Sequence, residues 1–321
     1  MTSFFVTRRL SVDLADGLPD GLQVAVFPHD RVPTEEEIAE GARDCSTLLT
    51  LVSDPVGSTL LDALPKLRHI AQVAVGYDNV DVEACRSREI LVTHTPDVLT
   101  DATADLTWAL LLAVARRIRE GEALLRGGHF GGWSPTLLLG RELAGTTLGV
   151  FGFGRIGRAV ARRARGFGMR VIYTSRSFAP TKVEEELRAE RVSFEQLLEE
   201  SDVLSIHAPL DEHTRARFGA AELKAMKRDA ILLNTARGPI VDEGALAAAL
   251  DEGELFGAGL DVFEHEPQVH PSLIARDDVV IVPHLGSATR AARARMAHTA
   301  LRDAVRVAHG EPALHVIPEL A

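Results

Sequence analysis

The sequence predicts an α/β protein built on two parallel sheets with flanking helices. Three observations carry that class. Short apolar runs alternate with segments of helical periodicity along nearly all of the 321 residues, the pattern of βαβ units. The alternation comes as two series, and the length suits two domains. The second series opens on Thr146-Thr147-Leu148-Gly149-Val150-Phe151-Gly152-Phe153-Gly154-Arg155-Ile156-Gly157. There an apolar run meets a G-x-G-x-x-G spacing and a helical pattern follows, the context of a dinucleotide-binding turn. Gly152 permits the tight turn, Gly154 lets backbone approach a pyrophosphate, and Gly157 lets the helix pack close to the strand. The two sheets are therefore expected to be Rossmann-like.

In the first series Phe4-Phe5-Val6 and Val24-Ala25-Val26-Phe27 read as strands. Thr34 caps a helix, with Glu37 as its capping-box partner. Leu48-Leu49-Thr50-Leu51 is a third strand, followed by a helix over Ser58 to Leu64. Ile70-Ala71-Gln72-Val73 delivers Val75-Gly76-Tyr77-Asp78 to its end, and Asp81 to Ser87 and Ile90-Leu91-Val92 complete the series. Asp101 to Arg119 reads as one long helix. It is apolar around most of its circumference, so it is expected to be buried or to lie at a subunit contact. Gly127 to Pro135 is irregular. It fits either an ordered loop that reaches a neighbouring subunit or a connector with one buried Trp133. The second series has strands at Leu148–Phe151, Val171–Tyr173, Val203–Ile206, Ile231–Leu233, Ala258–Leu260 and Val279–Val282, and a last helix runs from Ala288 to Ala308.

Bulk properties exclude several classes. A formal net charge of −11 argues against nucleic acid or an anionic membrane as a partner held by bulk electrostatics. Cys45 and Cys85 make no disulfide framework, and the twelve histidines form no H-E-x-x-H, so no metal site is expected. No apolar run is long enough to span a membrane, and Phe4-Phe5-Val6 is too short for a signal-peptide core. A cytoplasmic setting is expected.

Ligands of open parallel sheets bind beyond the carboxyl ends of the strands. In the second series those ends carry Ser175 and Arg176, then His207 and Pro209, then Thr235, Ala236 and Arg237, then Asp261 and Glu266, then His284 and Gly286. A carboxylate about 20 residues beyond the glycines would bind the adenosine ribose of NAD. That place holds Ser175 and Arg176. With no acid to repel a 2′-phosphate and a guanidinium available to bind it, NADP is expected over NAD. Arg237, Glu266 and His284 suit reduction of an α-keto acid. The guanidinium holds the carboxylate and polarises the carbonyl, and the histidine supplies the proton as hydride arrives. A carboxylate beside that histidine favours its charged form and fixes its orientation.

These residues lie in segments with a known likeness. Thr235-Ala236-Arg237-Gly238-Pro239-Ile240-Val241-Asp242-Glu243, Leu260-Asp261-Val262-Phe263-Glu264-His265-Glu266-Pro267 and Pro283-His284-Leu285-Gly286-Ser287-Ala288-Thr289 resemble the three signatures of the D-isomer-specific 2-hydroxyacid dehydrogenases. Val75-Gly76-Tyr77-Asp78-Asn79 and Arg176 resemble the glyoxylate/hydroxypyruvate reductase subgroup in particular. The resemblance implies an NADPH-preferring reductase of small 2-keto acids. It implies that Arg237, Glu266 and His284 are catalytic, and that the N–H groups of Val75 and Gly76 bind substrate oxygens. Arg155 and Ile156 would follow the pyrophosphate, and Thr103, Asp261 and Gly286 would lie near the nicotinamide. It further implies a substrate domain over 1–98 and 287–321, a nucleotide domain over 99–286 with the cleft between them as the site, and a homodimer formed through the nucleotide domain. Because the chain shows no acid-binding surplus for a second carboxylate, glyoxylate and hydroxypyruvate are the expected substrates. Two other readings stay open: a dehydrogenase for a bulkier 2-keto acid, and a nucleotide-sensing binding protein of the corepressor type.

Overall fold

The computed structural model describes residues 3–14, 18–19 and 21–321. It divides into two compact units, Met1–Leu99 with Ala288–Ala321, and Thr100–Ser287.

The first unit contains β1 (Ser3–Val6), β2 (Gln23–Val26), α1 (Glu35–Ala42), β3 (Thr47–Thr50), α2 (Ser58–Ala63), β4 (His69–Gln72), α3 (Val82–Ser87) and β5 (Leu91–Thr93). All its strands are parallel, in the order β2-β1-β3-β4-β5. Every residue of β3 and β4 is buried, as expected of parallel strands covered on both faces. The capping box of α1 forms as the spacing predicts: Glu37 N–H donates to Thr34 Oγ1 at 3.3 Å and Thr34 N–H to Glu37 Oε2 at 2.9 Å.

The second unit begins with α4 (Thr100–Ala115) and α5 (Ile118–Arg126). It continues through β6 (Thr147–Phe151), α6 (Arg155–Ala164), β7 (Arg170–Thr174), α7 (Thr181–Leu187), β8 (Ala189–Arg191), α8 (Phe194–Glu200) and β9 (Val203–Ile206). It ends with α9 (Ala220–Ala225), β10 (Ala230–Asn234), α10 (Glu243–Asp251), β11 (Leu255–Leu260), α11 (Pro271–Ile274) and β12 (Val279–Ile281). Its seven strands are parallel, in the order β12-β11-β10-β9-β6-β7-β8. The chain then returns to the first unit as α12 (Arg290–Ala308), which packs on β3 and β4. Among the described residues no helix is long and apolar enough to cross a membrane.

Three sequence expectations change. The long helix from Asp101 ends at Ala115, and Arg117 turns the chain through the left-handed region at φ 52° before α5 begins. Of the two alternatives for that helix, burial within the unit holds for α4. It lies on β10, β11 and α6, and it comes so close to β11 that a Cβ on Gly259 would stand 3.0 Å from Leu110 Cβ. β8 has no apolar run to announce it. It is a three-residue edge strand, Ala189-Glu190-Arg191, paired only with β7. Finally, Trp133 is 84% exposed, so the loop is not a connector around a buried Trp.

Candidate active site

The glycine turn follows β6, the strand flanked by β7 on one side and β9 on the other. This is the switch point of the sheet, where a crevice opens beyond the carboxyl ends. Gly152 has φ 95°, and a Cβ there would come within 2.5 Å of Ala208 N, so only glycine lets the turn lie against the end of β9. A Cβ on Gly157 would meet Gly152 O at 2.2 Å, which is the close helix–strand packing the motif requires. Gly154 is different: a Cβ there would enter open space. Gly154 is also the N-cap of α6, with no side-chain cap and no acid in the first turn. The first N–H groups of α6, on Arg155 and Ile156, therefore face that space together with the positive end of the helix dipole. His207, at the end of β9, adds a buried Nδ1 with no hydrogen-bond partner among the described residues, while its Nε2 meets Ser205 Oγ at 2.8 Å. Burial lowers the pKa of His207 to about 3, so its ring is neutral. An open space above Gly154, the positive end of the α6 dipole and the buried His207 Nδ1 fit a bound dinucleotide pyrophosphate.

At the end of β7, Arg176 is 73% exposed in its side chain and its Nη1 lies 3.1 Å from Asp211 Oδ2. The stretch after β7 contains no acid, but the fold brings one from the loop after β9. That corrects the reading of Arg176 as a guanidinium with no carboxylate nearby. The structure also supplies a second guanidinium that the sequence hid. Arg191, on β8, donates to Ser175 O at 3.0 Å and stacks over Phe178 at 3.9 Å.

The chemistry-bearing side chains stand on adjacent loops. After β10, Asn234 shapes the turn: its Nδ2 donates to Arg237 O at 2.9 Å and its Oδ1 accepts from Ala236 N–H at 3.0 Å. Thr235 Oγ1 meets Thr107 Oγ1 at 2.9 Å, which ties this turn to α4. A Cβ on Gly238 would fall 1.8 Å from Phe263 C, so the Arg237 turn and the loop after β11 touch backbone to backbone. Buried Glu243 then clamps that second loop. Its carboxylate accepts from Glu264 N–H at 2.7 Å and from His270 N–H at 3.0 Å, on either side of Glu266.

His284 Nδ1 and Glu266 Oε2 are 3.0 Å apart. His284 has φ 52° and its N–H donates to Asp261 O at 2.9 Å, so the backbone that presents the ring is held in the left-handed region by the end of β11. Burial works to raise the Glu266 carboxyl. The hydrogen bond and charge of His284, the Phe263 N–H and the Arg237 guanidinium outweigh it and hold the carboxyl below the usual range. Asp261 goes the other way. Burial raises its carboxyl despite the N–H groups of Leu285 and Gly286 and the nearby His284, and the Glu266 charge adds to the rise. Its Oδ2 accepts from Gly286 N–H at 2.8 Å and its Oδ1 from Leu285 N–H, while Thr103 Oγ1 donates to Gly286 O at 3.1 Å. Asp261 thus fixes the loop that follows His284.

In the first unit the residues after β4 are fixed by their carbonyls. His94 Nδ1 meets Val75 O at 2.9 Å, and Gln72 Nε2 donates to Gly76 O at 3.2 Å. Neither the Val75 nor the Gly76 N–H has a hydrogen-bond partner among the described residues. Pro209 O accepts from Thr214 Oγ1 at 2.7 Å, which shapes the turn after β9.

The sequence model of the D-isomer specific 2-hydroxyacid dehydrogenase NAD-binding domain matches residues 108–286. A glyoxylate reductase of Thermococcus litoralis is 49% identical over 311 residues, covering 96% of this chain and 94% of that protein. A crystal structure of a protein from Thermus thermophilus superposes with a TM-score of 0.92 at 46% identity, covering 98% of this chain and 100% of that one. An NADPH-dependent glyoxylate/hydroxypyruvate reductase from Sinorhizobium meliloti, solved with NADP and malonate, matches at TM-score 0.87 and 32% identity, over 99% of this chain and 97% of that one. With a domain model spanning more than half of its length and a near-full-length relative close to half identical, the chain belongs to the D-isomer-specific 2-hydroxyacid dehydrogenase family and is an NAD(P)-dependent oxidoreductase.

Proposed function

We propose that the protein reduces small 2-keto acids, glyoxylate and hydroxypyruvate first among them, to D-2-hydroxy acids with NADPH as the preferred donor. The observation that carries the reading is the His284–Glu266 pair at 3.0 Å with Arg237 on the adjoining turn. The names of the similar reductases support the substrate class.

The bound dihydronicotinamide supplies the hydride. Arg237 binds the substrate carboxylate and orients the carbonyl. As the carbonyl carbon takes the hydride, the oxygen gains charge, and His284 gives it a proton; oxidation runs the same transfer backwards. Glu266, kept ionised by its neighbours, stabilises the protonated ring and fixes which nitrogen faces the substrate. The N–H groups of Val75 and Gly76 bind substrate oxygens. Gly154, Arg155 and Ile156 cradle the pyrophosphate, and Thr103, Asp261 and Gly286 lie by the nicotinamide.

NADPH preference is supported by Ser175 and Arg176 after β7 and by Arg191 beside them. An exposed ion pair contributes about 0–1 kcal/mol, so a doubly charged 2′-phosphate can take Arg176 from Asp211. A homodimer through the second unit is supported by the apolar side chains that α5 and its following loop leave exposed: Leu125 at 62%, Phe130 at 50%, Trp133 at 84% and Leu139 at 62%. Steady-state reduction of glyoxylate and hydroxypyruvate with NADPH and with NADH tests the reading. Turnover of both acids with a lower KM for NADPH is expected, and a tenfold preference for NADH would overturn the cofactor assignment.

A further inference from the structure

The first unit has its own switch point, between β1 and β3. A cavity of about 530 Å³ opens there at the carboxyl ends, a volume typical of small-molecule sites. Arg9 follows β1, His29 follows β2, Leu51 follows β3 and Val73 follows β4, while Arg293 and Met296 come from α12.

Several arginines of this unit are paired with acids. Arg8 is bound to Asp54 at 2.8 Å, Arg31 to Glu37, and Arg88 to Asp62 at 2.5 Å. Arg9 and Arg293 are exposed and line the cavity, and like Arg43, Arg290 and Arg302 elsewhere in the unit they have no side-chain hydrogen bond or ion pair among the described residues; what sets them apart is that they share one crevice. Arg293 also lies in the first turn of α12, where the helix dipole disfavours a cation, and that turn has no acid to offset it. Among the described residues the one acid along the cavity wall is Asp30, and no ion pair ties it to either arginine. Two guanidiniums that line one ligand-sized crevice make an arrangement that an oxyanion can join. The crevice adjoins the substrate loop, since Val73 precedes Val75 by two residues.

We infer that Arg9 and Arg293 receive the far end of a 2-keto acid that carries a second anionic group, a carboxylate or a phosphate monoester. Leu51, Val73 and Met296 supply the apolar wall for the carbon chain between the two ends. The inference rests on the reading of the Val75-Gly76 loop as substrate-binding. It reverses the expectation that no basic residues serve a second acid, because Arg9 and Arg293 lie outside every motif and meet only in the fold.

The test compares kcat/KM for oxaloacetate and 3-phosphohydroxypyruvate with kcat/KM for 2-oxobutyrate, which has a neutral tail. Glyoxylate is the reference for the hydride-transfer reading. At least one dianionic substrate should exceed 2-oxobutyrate tenfold or more, and the better of the two identifies carboxylate or phosphate as the group bound. Arg9→Gln and Arg293→Gln should each cut that ratio about tenfold, with Arg293→Lys keeping part of it. A ratio near one, or one unmoved in both folded variants, overturns the inference while glyoxylate turnover leaves the reductase reading standing. Absence of turnover with every keto acid overturns the reductase reading itself. In that case oxaloacetate binding by calorimetry, present in the native protein and lost in Arg293→Gln, would keep the anion site, and its absence would remove it.

Discussion

The carboxyl edges of the two sheets are built on the same topological rule but differ in how far their charged groups are paired. In the seven-stranded sheet the charged groups hold one another: His284 with Glu266, Arg176 with Asp211, Asp261 with two backbone N–H groups and Glu243 with two more. In the five-stranded sheet Arg8 holds Asp54 at 2.8 Å, while Arg9 and Arg293 stand at a cavity without carboxylate partners among the described residues. The first edge is preorganised, so its geometry is set before a ligand arrives. At the second edge, as we infer, the two arginines are left for a ligand's negative charge. One reads as a place for chemistry and the other as a place for selection.

If the closed edge performs the chemistry, breaking it should cost rate rather than fold. His284→Ala should lower kcat by roughly 10²–10⁴-fold, the usual contribution of a positioned proton donor. Nucleotide binding, followed by fluorescence or calorimetry, should persist. A variant that keeps most of its kcat would remove His284 from the proton transfer. Glu266→Gln should have a smaller effect of the same kind.

The glycine turn separates fold from function within three residues. Gly152→Ala puts a Cβ at φ 95° and against the Ala208 backbone, and should cost on the order of 3 kcal/mol of stability. Gly154→Ala puts a Cβ into open space, so thermal unfolding should shift by no more than roughly 1 kcal/mol equivalent. Its KM for the nucleotide should instead rise about tenfold as backbone approach to the pyrophosphate is blocked. Equal stability losses in the two variants would contradict the division.

The pair at Arg176 gives the next smaller effect. Arg176→Ala should reduce NADPH over NADH selectivity by about tenfold, the loss of one charge-assisted contact. Asp211→Asn should raise that selectivity severalfold, because it removes the carboxylate that a 2′-phosphate must displace. Unchanged ratios in both would mean that Arg191 or the backbone makes the choice.

What the sequence displayed and what it hid follow from range. The two βα series, the Thr34 cap and the strand-end residues Arg237, Glu266 and His284 are local patterns, and period and spacing are visible in one dimension. β8 was hidden because an edge strand needs no apolar run, and Ala189-Glu190-Arg191 has none. The break at Arg117 was hidden because helical spacing continues through it, with no Gly or Pro to mark the turn. Asp211 beside Arg176, and Arg9 across from Arg293, are meetings of distant segments. Each reads in sequence as an ordinary surface residue, and only the fold makes it a partner.

A buried histidine in the five-stranded sheet gives the smallest effect and compares the units in acid. His69 is fully buried on β4, with Nε2 3.0 Å from Thr93 Oγ1 and Nδ1 unpartnered. Burial lowers its pKa to about 4, even though the charge of Asp303 works to raise it. The unfolded chain takes up that proton near the ordinary histidine value of about 6.5. Between those two values the unfolded state binds more protons, so stability rises with pH there. The contribution is full above the ordinary value and is lost progressively as pH falls toward about 4. The slope from one such group is at most about 1.4 kcal/mol per pH unit. His69→Leu should flatten the urea-unfolding midpoint of the first unit over that window. His207 has the same burial at the glycine turn, and the slope it gives the second unit should remain. If His69→Leu leaves the slope of the first unit intact, its acid sensitivity comes from other groups, such as Glu37, whose carboxyl the Arg31 hydrogen bond holds down to about 2, and the histidine is a spectator.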